Sequence, residues 1–250
     1  MESLLGLRET RQIVSEAKKE TILAVLQPGY LPWLGFFDQM ERADVFIIYD
    51  DVQYDKNGWR NRNRIKTHSG PQWLSVPVHV KLGQPINTVS IDNSKNWAKK
   101  HLTSIRQMYK TAPHFAAYMP ELEKILEQRW ERIIDLDLAL IKQMGQWLGI
   151  KTPVKLSSAL KVEGDRNERL INFCRHEKAN HYFSGNAAKV YLDVEAFKLA
   201  GIEVSFQEYK HPSYPQLHGE FIPYLSTLDL LMNCGNTSLA IIKQCNSRDK

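Results

Sequence analysis

Three polar clusters carry the residue types that bind anions or move protons, and two of them begin where an apolar run stops. The first is Gln27-Pro28-Gly29-Tyr30-Leu31-Pro32-Trp33, directly after the β-prone run Thr21–Leu26. Two prolines stiffen it and Gly29 permits a backbone angle that other residues avoid. Gln27 offers an amide, and the rings of Tyr30 and Trp33 suit stacking on a base or sugar, although Trp33 serves equally well as a core plug. The second is Asp50-Asp51, directly after Val45–Tyr49, with Gln53 two residues further on as a substrate-binding candidate. Paired carboxylates hold a magnesium ion with substrate phosphates, or one of them acts as general base toward an amine or hydroxyl. Helix capping, or pairing with nearby arginines, is the plainer use of the same residues.

The third is Arg60-Asn61-Arg62-Asn63-Arg64-Ile65-Lys66. In an extended chain, alternation puts Arg60, Arg62, Arg64 and Lys66 on one face and Asn61, Asn63 and Ile65 on the other. One face then presents guanidinium forks for phosphate or carboxylate, the other amide donors and acceptors. Anion binding is expected above all of Arg62 and Arg64. A charge run is usually a solvated loop, but asparagines spaced between arginines fit that reading poorly. Ser184-Gly185 follows a short strand, and its glycine lets backbone N–H groups approach an anion. No Gly-x-Ser-x-Gly elbow surrounds Ser184, so it reads as a binding residue and not a nucleophile.

Outlying candidates complete the set. His101 begins a helix beside Lys99-Lys100 and can reach the site, though a structural role is commoner. His211 and His218 flank Tyr214-Pro215-Gln216, a Pro-rich loop with the character of a lid. Asp229 stands on an otherwise apolar helix and needs a partner if buried, with a site arginine as candidate. The eight histidines form no i, i+4 pair and no metal-spaced set. No resident protein metal site is expected, and the cofactor stays open between magnesium and a nucleotide-linked donor.

The elements that must position these residues alternate. Thr21–Leu26 and Val45–Tyr49 read as strands flanking a helix over Leu34–Met40, with Pro32 read as sitting just inside its start, and a strand–helix–strand unit with short joints requires parallel strands. Trp73–Val80 reads as one strand and Thr88–Ile91 as its short companion. Apolar residues recur at helical spacing over Ala98–Tyr109 and again over Pro120–Leu148. Glu168–Lys178, Asp193–Ala200 and Ile222–Cys234 read as helices, His181–Ser184 and Glu203–Tyr209 as strands. The expectation is an α/β fold: an open, mainly parallel, Rossmann-like sheet with helices on both faces and an embedded helical section near 98–150. Residues 21–250 are expected to form a single domain behind an arm or tail, residues 1–20. The loops at the carboxyl ends of the strands then share one crevice.

Bulk properties bound the function. At 250 residues, 43% apolar and 24% charged, the chain has the composition of a globular protein and no apolar run near the roughly 20 residues that span a bilayer. The charge-rich start has no apolar core for a secretory signal, so the cytoplasm is expected. Cys174, Cys234 and Cys245 are odd in number and widely spaced, as reduced thiols are. Cys174 reads as part of a buried helix face. A net charge of +5, partly local to Arg60–Lys66, points to a small anionic partner such as a nucleotide-linked sugar and away from nucleic acid, which asks for longer basic stripes. Oligomeric state is not encoded in these features.

Several blocks together resemble the WbqC-like family: Leu26–Phe37, Asp50-Asp51-Val52-Gln53-Tyr54, Asn61-Arg62-Asn63-Arg64-Ile65-Lys66, Tyr182-Phe183-Ser184-Gly185, Tyr214-Pro215-Gln216 and Leu225–Leu231. Many relatives have histidine where Leu26 stands, so a mechanism needing imidazole there does not carry over. The resemblance implies a role in bacterial surface-polysaccharide (O-antigen) synthesis, as a transferase placing an acyl or aminoacyl group on a nucleotide-linked amino sugar. In that scheme Arg62, Asn63 and Arg64 hold phosphate or carboxylate, Tyr30 and Trp33 stack on the ligand, and Asp50 or Asp51 accepts the amine proton. The layout of the first loop also suggests ATP-dependent nucleotidyl transfer or ligation, and the lack of a clear nucleophile suggests a non-catalytic sugar-nucleotide binder.

Overall fold

The computed structural model describes residues 19–244. Of the expected arm or tail, residues 1–20, only Lys19 and Glu20 are among the described residues, and Cys245 lies outside them. In chain order the elements are β1 (Ile22–Leu26), α1 (Leu34–Arg42), β2 (Val45–Ile48), β3 (Arg62–Thr67), β4 (Gly70–Ser75), β5 (Val78–His79), β6 (Ser90–Ile91), α2 (Trp97–Tyr109), α3 (Phe115–Leu126), α4 (Ile133–Leu148), β7 (Val154–Leu156), α5 (Ser157–Leu160), α6 (Arg166–Glu177), β8 (His181–Gly185), α7 (Val194–Leu199), β9 (Glu203–Gln207), α8 (Thr227–Cys234) and α9 (Ser238–Lys243).

Five strands form an open parallel sheet in the order β7-β2-β1-β8-β9. Counted along the chain, that order is 3-2-1-4-5, the Rossmann arrangement. The chain steps outward from β1 through β2 to β7, then returns to the other side of β1 for β8 and β9. The direction of winding therefore reverses between β1 and β8. Helices cover both faces because the strands alternate between two cores. Ala24, Phe46 and Ile48 pack with α1, α4 and α8 on one face. Leu23, Val25 and Ile47 pack with Leu170, Phe173 and Phe197 of α6 and α7 on the other. Strands buried on both sides read as unbroken apolar runs, which is why β1 and β2 are plain in the sequence.

The connection from β2 to β7 carries the embedded section: the β3–β4 hairpin, the short β5–β6 pair and helices α2, α3 and α4. Here the structure departs from the expectations. Trp73–Val80 is two strands, β4 paired with β3 and β5 paired with β6, because Pro77 between them has no N–H for a ladder. The Pro120–Leu148 helix is also two, with α3 starting earlier at Phe115 and a break over residues 127–132. Trp130 holds that break, donating to the Ile125 carbonyl at 2.8 Å and accepting from Asn93 at 2.8 Å. The last long helix starts at Thr227, not Ile222. Pro223 and the left-handed Tyr224 (φ 58°) precede it, and the Ser226 hydroxyl caps Leu228 N–H at 3.1 Å. Three-residue β7 and one-turn α5 have no sequence signature. No helix among the described residues is long and apolar enough to cross a membrane.

Candidate functional site

The loop from β1 to α1 turns back on itself, and the turn is set by Leu31, a buried residue at φ 45°. The left-handed angle expected at Gly29 thus falls two residues later. Gly29 is small for another reason: a Cβ there would sit 3.2 Å from the Trp59 carbonyl oxygen. The segment leading into β3 holds this loop by its backbone. Tyr30 N–H donates to the Trp59 carbonyl (3.1 Å), Arg60 Nη1 to the Pro28 carbonyl (2.5 Å) and Asn63 Nδ2 to the Leu31 carbonyl (2.7 Å). Asn63 is buried, and its Oδ1 accepts from Arg64 N–H at 2.8 Å, so its amide orientation is fixed from both ends. At the start of α1 the Trp33 indole lies over Gly35, where a Cβ would come within 2.3 Å of the ring. Tyr209 and Tyr224 pack against the indole, with ring centroids 5.5 Å and 5.9 Å away.

A cleft of about 480 Å³ opens between the carboxyl ends of β1 and β8, where the winding reverses. Open α/β sheets bind ligands at this switch point. Its walls are aromatic: Tyr30, Trp33, Tyr49, Trp59, Tyr182 and Tyr191. Its polar groups come from Gln27, Arg60, Asn63, Arg166 and Ser184, and Gly185 also lines it. None of the described lining residues is a carboxylate, an imidazole or a thiol. Arg60 pairs with Asp55 at 2.9 Å. Arg166, in the first turn of α6, is exposed and has no hydrogen-bond or ion-pair partner among the described residues.

Behind this wall lie ionisable groups whose titration burial shifts toward the neutral form. Tyr30 Oη meets His101 Nδ1 at 2.9 Å. Desolvation lowers the His101 imidazole to about 4, and raises the Tyr30 hydroxyl well above its ordinary value, with the nearby Asp137 adding to the rise. Asp137, on α4, is wholly buried, and neither carboxylate oxygen has a hydrogen-bond partner. Burial raises its carboxyl well above the usual range, only partly opposed by the Arg60 charge.

Of the residues expected to form the site, Gln27, Tyr30, Trp33, Asn63, Ser184 and Gly185 line the cleft, and His101 supports Tyr30 from behind. The others lie elsewhere. Asp50 is buried and accepts from the Ser157 hydroxyl (2.9 Å), Ser158 N–H (3.0 Å), the Ser158 hydroxyl (2.6 Å) and Asn87 Nδ2 (3.3 Å). Asp51 accepts from Ser157 (2.6 Å) and pairs with Arg169 (2.5 Å). Gln53 is exposed, in a bridge to Pro85. Asn61 donates to the Val76 carbonyl (2.7 Å) and accepts from Tyr54 (2.8 Å).

The expected two-faced pattern holds in β3 only over Arg62–Ile65, with Asn63 and Ile65 inward and Arg62 and Arg64 on the outer side of the hairpin; Lys66, expected on the arginine face, departs from it. Lys66 is buried, its ammonium donating to the Gly219 carbonyl (3.1 Å) and the Glu220 carbonyl. Asp229 accepts from Tyr109 (2.7 Å), Tyr214 (2.9 Å) and Gln216 (2.8 Å). This corrects the expectation of an arginine partner: two phenols and an amide satisfy the carboxylate, and the cation that acts on it is Lys66. Lys66, Gln216 and Asp229 thus join β3, α8 and the loop before it. The cleft residues not singled out in the sequence are Arg60 as a lining residue, Arg166, Tyr49, Trp59, Tyr182 and Tyr191. Arg166 follows β7 and α5, which no sequence pattern reveals, and Tyr182 stands inside a strand that reads as core.

The model of the WbqC-like protein family matches residues 27–241. The chain is 39% identical over 227 residues to a protein of Mycobacterium tuberculosis (strain ATCC 25618 / H37Rv) named "Uncharacterized protein Rv1507c", covering 89% of this chain and 98% of that one. No solved structure matches the chain.

Proposed function

The chain belongs to the WbqC-like protein family, and from that premise we propose that its cleft binds a nucleotide-linked amino sugar for transfer of an acyl or aminoacyl group to the sugar amine, as a step in building a bacterial surface polysaccharide. One observation carries the reading: a nucleotide-sized cleft at the switch point whose charged lining groups are both arginines, set among aromatic rings. Such a lining favours a ligand with a planar ring and negative charge. Arg166 brings an uncommitted guanidinium to the cleft, and Arg60 adds a second, partly neutralised by Asp55. Gln27 and Asn63 supply amides, and Ser184 a hydroxyl, for the sugar.

In the transfer, the amine nitrogen attacks the acyl carbon of an activated donor, the bond to the leaving group breaks with its electron pair, and the amine proton passes to solvent. The protein's contribution is orientation and a fixed electrostatic environment. Asp50 and Asp51 are committed to Ser157, Ser158, Asn87 and Arg169, so the donor set of the cleft fits an anion neutralised by arginine better than one carried by a protein-bound magnesium ion.

A second reading is favoured by the same lining. A cleft without carboxylate, imidazole or thiol also suits a sugar-nucleotide binding protein that performs no chemistry. Incubation with a uridine-diphosphate amino sugar and an acyl-coenzyme A or aminoacyl donor, read by mass spectrometry, separates the two. A mass increase on the sugar supports transfer, binding without any increase supports the second reading, and no binding refutes both.

A further inference from the structure

Beside the cleft, the β3–β4 hairpin turns an unusual surface to solvent. Trp59 and Trp73 are 43% and 45% exposed, for side chains that are ordinarily highly buried. Their rings touch, with centroids 5.3 Å apart and planes inclined at 37°. The strand register explains the rest of the patch. Arg64 stands directly opposite Trp73 and Arg62 opposite Ser75, while Asn63, Ile65 and Leu74 point inward. The Arg62 guanidinium lies 4.5 Å over the Trp73 ring, and that of Arg64 lies 5.5 Å from Trp73 and 5.8 Å from Trp59. Both arginines are held from behind by carbonyls, Arg62 by Gly58 (3.2 Å) and Asn57, Arg64 by Tyr224 (3.1 Å). Rings and cations are therefore in place before any ligand arrives, which removes part of the ordering cost of binding.

We propose that this outer hairpin face is a second binding site, for an acidic saccharide, and that it continues into the cleft at Trp59, which belongs to both. The proposal relies on the cleft reading only for that continuity. Two indoles in mutual contact leave no slot for a planar base and present a shallow step instead. A pyranose ring lays its C–H face on such a step while its hydroxyls stay hydrated, and its carboxylate receives N–H donors from an arginine. A single-stranded nucleic acid meets too little here, since it requires a cation track along its phosphates. Large exposed aromatic patches on a folded chain mark binding surfaces, and the two guanidinium groups set the sign of the partner.

The test uses the full chain, with tryptophan fluorescence and calorimetry. The probes are trigalacturonate, the neutral maltotriose and the oligonucleotide hexathymidylate, compared in wild type, Trp73→Ala and Arg62→Gln. The expected result is trigalacturonate binding, about tenfold weaker for maltotriose and about tenfold weaker in either variant, a change of ~1.4 kcal/mol. Uridine diphosphate binding at the cleft, measured alongside, stays unchanged in Trp73→Ala. Absence of trigalacturonate binding to wild type, or equal binding to Trp73→Ala, overturns the proposal. Tighter binding of hexathymidylate, lost in Trp73→Ala, overturns it in favour of a nucleic-acid surface. Trigalacturonate binding without uridine diphosphate binding leaves this site standing and refutes the cleft reading alone.

Discussion

Asn63→Asp changes one atom of the cleft, and its effect on stability depends on pH in a way that follows from geometry. Asn63 Nδ2 donates to the Leu31 carbonyl at 2.7 Å inside a buried environment, while Oδ1 accepts from Arg64 N–H. An aspartate keeps the second bond and loses the first donor unless its carboxyl is protonated. Ionised, it sets a buried negative oxygen against a carbonyl oxygen, so its pKa rises above the unfolded value. The sign follows: full stability below an unfolded pKa of about 3.9, with loss growing as pH rises toward the folded pKa. The loss cannot exceed the cost of keeping the acid protonated. At pH 7 that ceiling is 1.36 × (7.0 − 3.9), about 4 kcal/mol. For a chain of this size it corresponds to a Tm lower by roughly 8–16 °C. Urea unfolding of wild type and variant from pH 4 to pH 8 measures it. The curves should converge near pH 4 and separate by about 3–4 kcal/mol at pH 7. A loss independent of pH would mean that packing, not the donated hydrogen bond, fixes the Leu31 turn, and no loss at pH 8 would mean that the bond is absent.

Three further outcomes are expected. Gly35→Ala ordinarily gains up to about 1 kcal/mol inside a helix, but here the new methyl displaces the Trp33 indole; Tm should fall and tryptophan fluorescence should shift, and a higher Tm would contradict the placement of the ring. His101, held near 4 against 6.5 unfolded, favours the folded state only while neutral. Its share of stability is therefore complete above pH 6.5 and lost as pH falls toward 4, by about 3 kcal/mol; unfolding curves for His101→Gln should lack that share, and parallel pH profiles would refute it. Asp137→Val removes two buried oxygens without partners and should raise stability by about 1–3 kcal/mol, read by calorimetry; a lower Tm would mean that the carboxyl has a partner in solution.

The parts of the fold legible in the sequence are those with physical periodicity. β1 and β2 are buried on both faces, so they read as solid apolar runs, and α2 and α4 carry long amphipathic repeats. Register-dependent features are not legible: β7 has three residues, and the split between β4 and β5 turns on one proline within an otherwise strand-like stretch. The β1–α1 loop reads well because prolines, glycine and aromatics cluster there. The charge run reads only halfway. Alternation separates Asn63 from the arginines, but which arginine reaches the cleft depends on the strand starting at Arg62, which leaves Arg60 in the loop that cradles Pro28. Asp50 and Asp51 read as site residues because strand-end carboxylates often are. The serines that satisfy them come from α5, about 107 residues later, and no local pattern announces a partner so distant.

Calorimetric titration of a uridine-diphosphate amino sugar into wild type, Arg166→Ala and Arg62→Ala shows where the ligand sits. Binding that weakens about tenfold or more in Arg166→Ala, with Arg62→Ala altering it far less, is the result predicted for a ligand held in the cleft between β1 and β8. Binding unaffected by Arg166→Ala but abolished by Arg62→Ala would move the site to the hairpin face and rule out the cleft between β1 and β8.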